Sequence, residues 1–295
     1  TGASGSPPGM ALQSCVVSMS TSMPPQVMKP EPVLPGPCTA AHFLSAGHST
    51  MPLKPGVQLG DCTPSASNNV PPQVLAVAPR GTMMDPGPAF YMEKFVAPSA
   101  ARGKIDPRWR TNRKLKVLAD ALRKDVADLT IYVLEKPRHR ELIDDILAAG
   151  ARVALYPAGD VAGALLAAIP GSGIDALMGT GGTPEGVMSA CAIRALGGEF
   201  LARFDPQLHT ETKAVRDAGL STARWYERDE IIGSDDVFFC ATGITTGLML
   251  EGVERTKTHY KVQTMMITGA NGERQILTSH IPLERLANAA AREVA

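Results

Sequence analysis

Three short segments carry residue types whose spacing suits chemistry: Lys136-Pro137-Arg138-His139, Ala158-Gly159-Asp160 and Gly179-Thr180-Gly181-Gly182-Thr183-Pro184-Glu185-Gly186. A lysine brings a point cation and an arginine a planar fork, a combination that suits a phosphate. The same four residues also read as a solvated basic loop entering a helix. Asp160 either caps a following helix through its backbone N–H groups or accepts a sugar hydroxyl. In the third segment the glycines let backbone approach a ligand closely, and Pro184 fits a first helical turn. Glu185 then either sits in the field of a helix N-terminus or ligates a hard divalent cation through oxygen. Counting G-x-G-x-x-G from Gly179 puts Pro184 at the third glycine, so this is not a dinucleotide fingerprint; no Lys-Ser/Thr follows, so it is not a phosphate-binding P-loop. A cationic phosphate contact, a sugar contact and a metal carboxylate together point to metal-assisted chemistry on a sugar phosphate.

The elements that must position these residues are legible in the periodicity. Leu129–Leu134, Arg152–Tyr156 and Ile174–Met178 are apolar strand candidates, each ending just before one of the three segments. Helices over His139–Ala149, Val161–Ile169 and Pro184–Leu196 separate them, closed by Gly150, by Pro170-Gly171 and by Gly197-Gly198. Strands spaced by helices of this length predict right-handed β-α-β crossovers and a largely parallel sheet, with the three segments as loops on one edge. Upstream, Val74–Ala78 and Phe90–Val96 read as strands, and Arg110–Leu122 as an amphipathic helix with Leu115, Leu118 and Leu122 on one face. Downstream, Asp236–Ala241 is an apolar strand candidate. Tyr260–Ile267 and Arg274–His280 flank Asn271-Gly272, a hairpin signal. The fold class is α/β with mixed sheets.

Composition divides the chain. It has 295 residues with 29 basic and 29 acidic side chains. A net charge of zero argues against a nucleic-acid partner or a polybasic membrane surface. No apolar run approaches the ~20 residues of a membrane span. The five cysteines (Cys15, Cys38, Cys62, Cys191, Cys240) form no C-x-x-C pair, which with the missing signal-peptide pattern predicts a cytoplasmic protein. Residues 1–80 hold only five charges (Lys29, Glu31, Lys54, Asp61, Arg80) against 14 of the 24 prolines. The expected division is an atypical Pro/Ser/Gly-rich segment over 1–73, out-of-frame or disordered, a folded domain over 74–281, and a C-terminal helix or tail over 282–295.

Longer motifs now make a resemblance specific. GTGGTPEG followed by VMSACAIRALGGEF, together with KPRH, ALYPAGD, PGSGIDALMG, DDVFFCATGITTG and LAVAPRGTMMDPGPAFYMEKFVAP, resembles the class II fructose-1,6-bisphosphatases of the GlpX type. The resemblance implies the layered fold of the lithium-sensitive sugar phosphatases. It also implies hydrolysis of the 1-phosphate of fructose 1,6-bisphosphate with Mn²⁺ or Mg²⁺, and a homo-oligomer, dimer or tetramer. By the same resemblance, Tyr91 contacts substrate, and Lys136, Pro137 and Arg138 form the basic phosphate segment. Ala158, Gly159 and Asp160 stand where the family reads Asp-Gly-Asp, Gly182 approaches substrate, and Glu185 is a metal ligand.

One part of the family pattern is missing. Its other metal ligands lie in an early Asp, a Gly-Glu-Gly-Glu-type segment and an Asp-Pro-x-Glu-Gly-Thr motif, and residues 1–73 contain none of these. A single carboxylate does not hold a catalytic metal pair. The composition of residues 1–73 and the abrupt resumption of family-like sequence at Val74 predict an out-of-frame translation of that region. Two other functions stay open: a catalytically silent sugar-phosphate-binding protein, and a sedoheptulose-1,7-bisphosphatase or inositol-phosphatase-like enzyme.

Overall fold

The computed structural model describes residues 14–18, 73–269 and 271–284. The expectations for a disordered or out-of-frame segment over 1–73 and for a C-terminal helix or tail over 282–295 fall almost entirely outside those residues. Along the chain, β1 (Ser14–Ser18) and β2 (Gln73–Pro79) precede β3 (Tyr91–Ala97). Next come α1 (Thr111–Leu122), β4 (Thr130–Leu134), α2 (Arg140–Ala148), β5 (Arg152–Tyr156) and α3 (Asp160–Ala168). Then follow β6 (Ala176–Gly182), α4 (Thr183–Leu196), β7 (Glu199–Phe204), α5 (His209–Asp217), β8 (Tyr226–Glu227) and α6 (Arg228–Ile231). The last strands are β9 (Phe238–Thr242), β10 (Glu254–Arg255), β11 (His259–Thr268) and β12 (Arg274–Pro282).

Helix α4 organises these elements because it is apolar nearly all round. Val187, Met188, Ala190, Cys191, Ala192 and Ile193 are all buried, as expected of a helix with no solvent face. It packs against β2, β9 and β11 on one side and against β3, β6 and β7 on the other. The first group belongs to an antiparallel sheet ordered β1-β2-β9-β11-β10, with β12 also paired to β11. The second belongs to a sheet ordered β5-β4-β6-β3-β7-β8. Helix α3 lies beside α4, whereas α1 and α2 cover the opposite face of the second sheet. Strand alternation divides the cores accordingly: Tyr132 and Val96 face the α3–α4 layer, and Ile131, Val133 and Phe95 face α1 and α2.

The sequence predicts a largely parallel second sheet, and the structure corrects this. Only β4 runs parallel to its neighbours β5 and β6; β3 is inserted antiparallel between β6 and β7, and β8 is antiparallel to β7. The physical reason is that β3 comes from outside the β-α-β run, so no crossover fixes its direction. A second correction concerns residues 179–182: read as loop, they are the end of β6, paired with Tyr91–Lys94 of β3. Glycine's low strand preference hid them.

Gly163 on α3 faces the fully buried Tyr132 ring, and a Cβ there would run into the ring's edge. Tyr132 is held in place by stacking on Tyr156 at 4.7 Å and by its hydroxyl, which faces the Ala158 and Gly159 carbonyls at 3.1 and 3.0 Å. Helix propensity alone makes Gly163→Ala stabilising by about 1 kcal/mol. Overpacking against a locked ring costs about 1–3 kcal/mol, so we expect a net loss, read as a lower urea midpoint for Gly163→Ala.

Candidate functional site

The C-terminal ends of β4, β5 and β6 meet the N-terminal end of β3, which places four of the predicted site segments in one corner. Tyr91 pairs in register with Gly182. The Arg138 guanidinium lies 5.2 Å from the centre of the Tyr91 ring, within cation–π range. Lys136 precedes a 3₁₀ turn, Pro137–His139, that leads directly into α2. Ala158 and Gly159 follow β5, and Gly159 takes a left-handed φ of 97° as the N-cap of α3. No side chain caps α3 or α4. The capping role considered for Asp160 is therefore not the one it plays.

Asp160 instead accepts from Lys94, whose ammonium sits 2.5 Å from Oδ2 and donates also to the Gly182 carbonyl at 2.9 Å. Both side chains are largely buried, at 2% and 13% exposure, so this ion pair is shielded from solvent. Lys94 escaped the sequence analysis because it sits in an alternating strand, MEKFVA, where a lysine reads as a solvent-facing residue. Its position opposite the GTGG run is the signal that only the strand pairing supplies.

The glycines of that run are required by what lies on them. Gly179 has a φ of 122°, and a Cβ there would press on the His139 ring. A Cβ on Gly181 would overlap Asp160 and crowd Lys94; one on Gly182 would overlap the Glu185 carboxylate. Four neighbouring side chains thus use the backbone of β6 as a surface. Burial raises the Glu185 pKa, and the Asp160 charge raises it further, opposed by Lys94.

His139 is fixed as a neutral ring. Thr180 N–H donates to Nε2 at 2.8 Å, so Nδ1 carries the proton and donates to the Leu134 carbonyl at 2.7 Å. Burial lowers its pKa, and the Arg138 charge adds to this. Arg138 in turn donates through Nε and Nη2 to the Thr180 carbonyl at 3.2 and 2.9 Å, leaving Nη1 as the guanidinium nitrogen outside this contact. The Thr180 hydroxyl donates to Asp205 at 2.5 Å. Glu211, buried in the first turn of α5, accepts from the Phe90 and Tyr91 N–H groups, both at 2.8 Å, and from Gln207 N–H. Neither β7 nor α5 had a sequence signal tying it to the site; Asp205, just past β7, acts through the Thr180 hydroxyl, and Glu211 of α5 acts through backbone N–H groups.

A divalent cation would need a set of oxygen ligands at this corner. Glu185 offers one carboxylate, but Asp160 is committed to Lys94, and among the described residues no three His, Cys, Asp or Glu side chains converge. A hard cation takes about six oxygen ligands. The described residues do not complete such a site.

The profile of the family described as bacterial fructose-1,6-bisphosphatase, glpX-encoded, matches residues 62–281. The chain belongs to this family. It is 37% identical over 207 residues to the D-fructose 1,6-bisphosphatase class 2/sedoheptulose 1,7-bisphosphatase of Synechococcus elongatus. It is 38% identical over 208 residues to the protein of the same name from Thermosynechococcus vestitus. Each match covers 66% of this chain and 60% of the relative, so the chain spans about three-fifths of the length of these relatives. Among the described residues, no helix is long and apolar enough to cross a membrane.

Removing one partner of a buried ion pair strands the other charge and costs about 3–5 kcal/mol. Lys94→Met should therefore lower stability by that order in chemical denaturation, and adding Asp160→Asn should recover at least half of the loss. His139→Leu orphans one buried N–H and one carbonyl, at about 1–3 kcal/mol each. The lowered native pKa adds a pH signature. The contribution of His139 is fully present above the ordinary imidazole value of about 6.5 and is lost as pH falls through the lowered native value. The stability gap between parent and His139→Leu should narrow on acidification below about pH 6.5; a gap that widens would show that His139 is charged in the native state.

Proposed function

We propose that this chain carries the sugar-phosphate-binding part of a Mn²⁺- or Mg²⁺-dependent bisphosphatase that releases the 1-phosphate of fructose 1,6-bisphosphate and accepts sedoheptulose 1,7-bisphosphate. The observation that carries this reading is the convergence of the 136–138 segment, Tyr91, Asp160 and Glu185 around the glycine end of β6. Lys136 and the remaining Arg138 N–H groups suit an anionic phosphate. His139 and Arg138 hold Thr180 from both sides, which fixes the strand end that carries Gly181 and Gly182. Asp160 keeps its second oxygen for a sugar hydroxyl, and Ala158 offers no carboxylate where the family has one. Glu185 supplies one oxygen toward a cation, which would polarise the phosphoryl group and activate water. We place the protein in the cytoplasm as a homo-oligomer.

The incomplete ligand set favours a second reading for the chain as written, a sugar-phosphate binder without turnover. Calorimetric titration with fructose 1,6-bisphosphate and phosphate release with Mn²⁺ separate the two. We expect binding that Lys136→Gln weakens by about tenfold, equivalent to about 1.4 kcal/mol, and negligible phosphate release. Sustained release would refute the need for further carboxylates. Absence of binding would refute the sugar-phosphate assignment itself. In a chain whose first 73 residues are restored to a reading frame encoding the family's acidic motifs, release should appear and Glu185→Gln should abolish it.

A further inference from the structure

A cavity of about 460 Å³ opens at the far end of β7 from the candidate site. Glu199, the first residue of β7, lines it, whereas the last residue, Phe204, leads to Asp205 beside Thr180. At ~3.4 Å per residue the two ends lie about 17 Å apart. Segment 102–109 forms one wall, and the β8–α6 turn forms the other.

Two features set this cavity apart. Both tryptophans of the chain, Trp109 and Trp225, line it, each with a guanidinium over one ring face, Arg113 at 4.0 Å and Arg203 at 5.2 Å. Its acids and cations are also unevenly committed. Asp229 pairs with Arg102, Arg194 and Arg228. Glu199 accepts from Gly103 N–H at 2.6 Å and Phe200 N–H at 3.1 Å, and burial raises its pKa. Asp106 accepts from the Arg108 N–H at 2.9 Å, and Glu227 is engaged in a capping box at the start of α6. The four lining acids are thus occupied by the fold. Among the lining cations, the exposed side chains of Lys104 and Arg108 have no hydrogen bond or ion pair among the described residues. They belong to a stretch, residues 102–116, with seven basic residues against one acid, so its surroundings are cationic as well.

Indole faces accept flat or apolar surfaces, and unpaired Lys and Arg side chains accept phosphate oxygens. We propose that this cavity is a second binding site, remote from the first, for a small phosphate ester whose organic part presents a flat apolar face. The indole surface that Arg113 and Arg203 leave uncovered would hold the organic part, and Lys104 and Arg108 the phosphate. This inference does not depend on the sugar-phosphate reading of the glycine corner and can fail without it.

Because the chain has no other tryptophan, its emission reports on this cavity alone. The test is to titrate the full chain, in the presence of a chelator, with phenyl phosphate and follow tryptophan fluorescence. We expect a saturable change that Lys104→Gln/Arg108→Gln weakens by about tenfold or more, that Lys136→Gln leaves unaltered, and that neutral benzyl alcohol does not produce. Arg108→Gln alone, expected to weaken binding in the same direction, serves if the double variant fails to fold. No saturable change up to about 10 mM, where a binder of about 1 mM is nearly saturated, would overturn the proposal. So would a change that survives the cavity substitutions or disappears with Lys136→Gln.

Discussion

The candidate site rests on a strand end that carries a single side chain, that of Thr180. Gly179, Gly181 and Gly182 present bare backbone, and His139, the Lys94–Asp160 pair and Glu185 lie against it. A glycine run is a poor strand by propensity, so something must hold it extended. Pairing with β3 does so on one side, and on the other the 3₁₀ turn before α2 contributes Arg138 and His139 to the carbonyl and N–H of Thr180. The arrangement is mutual. The glycines make room for the polar side chains, and the polar side chains keep the glycines in a strand.

That corner needs a rigid base, which α4 supplies. Its N-terminus begins at Gly182 and Thr183, and its body is buried between the two sheets. Glu185 therefore projects from the first turn of a helix fixed along its length, and its carboxylate sits in a helix-terminal field that favours negative charge. Burial and Asp160 oppose that preference. Lys94 is the nearby cation that offsets them, and it reaches Asp160 and the Gly182 carbonyl at once. The ammonium thus holds strand β6 and helix α3 together as well as balancing charge.

Much of this was legible in the sequence, and the failures have physical causes. The helices from Arg110, His139, Val161 and Pro184 onward were visible because their breakers are explicit and their apolar spacing is regular. The hairpin of β11 and β12 was visible from Asn271-Gly272, where Gly272 adopts a φ of 65°. Long family-like motifs identified the family, since they survive without any knowledge of contacts. The antiparallel insertion of β3 was not visible, because strand direction is a property of pairing and leaves no local mark. Lys94, Asp205 and Glu211 were missed for a related reason: each acts on a partner 25 to 121 residues away. Their residue types at their local spacing are ordinary.

The zero net charge of the chain hides a common rule at both ends of the second sheet. At the glycine end, Asp160 is bound to Lys94, Asp205 to Thr180 and Glu211 to backbone N–H groups, while among the described residues Lys136 and part of Arg138 stay uncommitted. At the far end, Asp229 and Glu199 are bound in the same manner, while among the described residues Lys104 and Arg108 stay uncommitted. Acids consumed by the fold contribute little attraction to an incoming cation, because their lone pairs already face donors. Free ammonium and guanidinium groups keep their capacity to bind anions. A chain with equal numbers of acids and bases can therefore present two surfaces suited to phosphate, and the distribution of partners decides this where the charge total cannot.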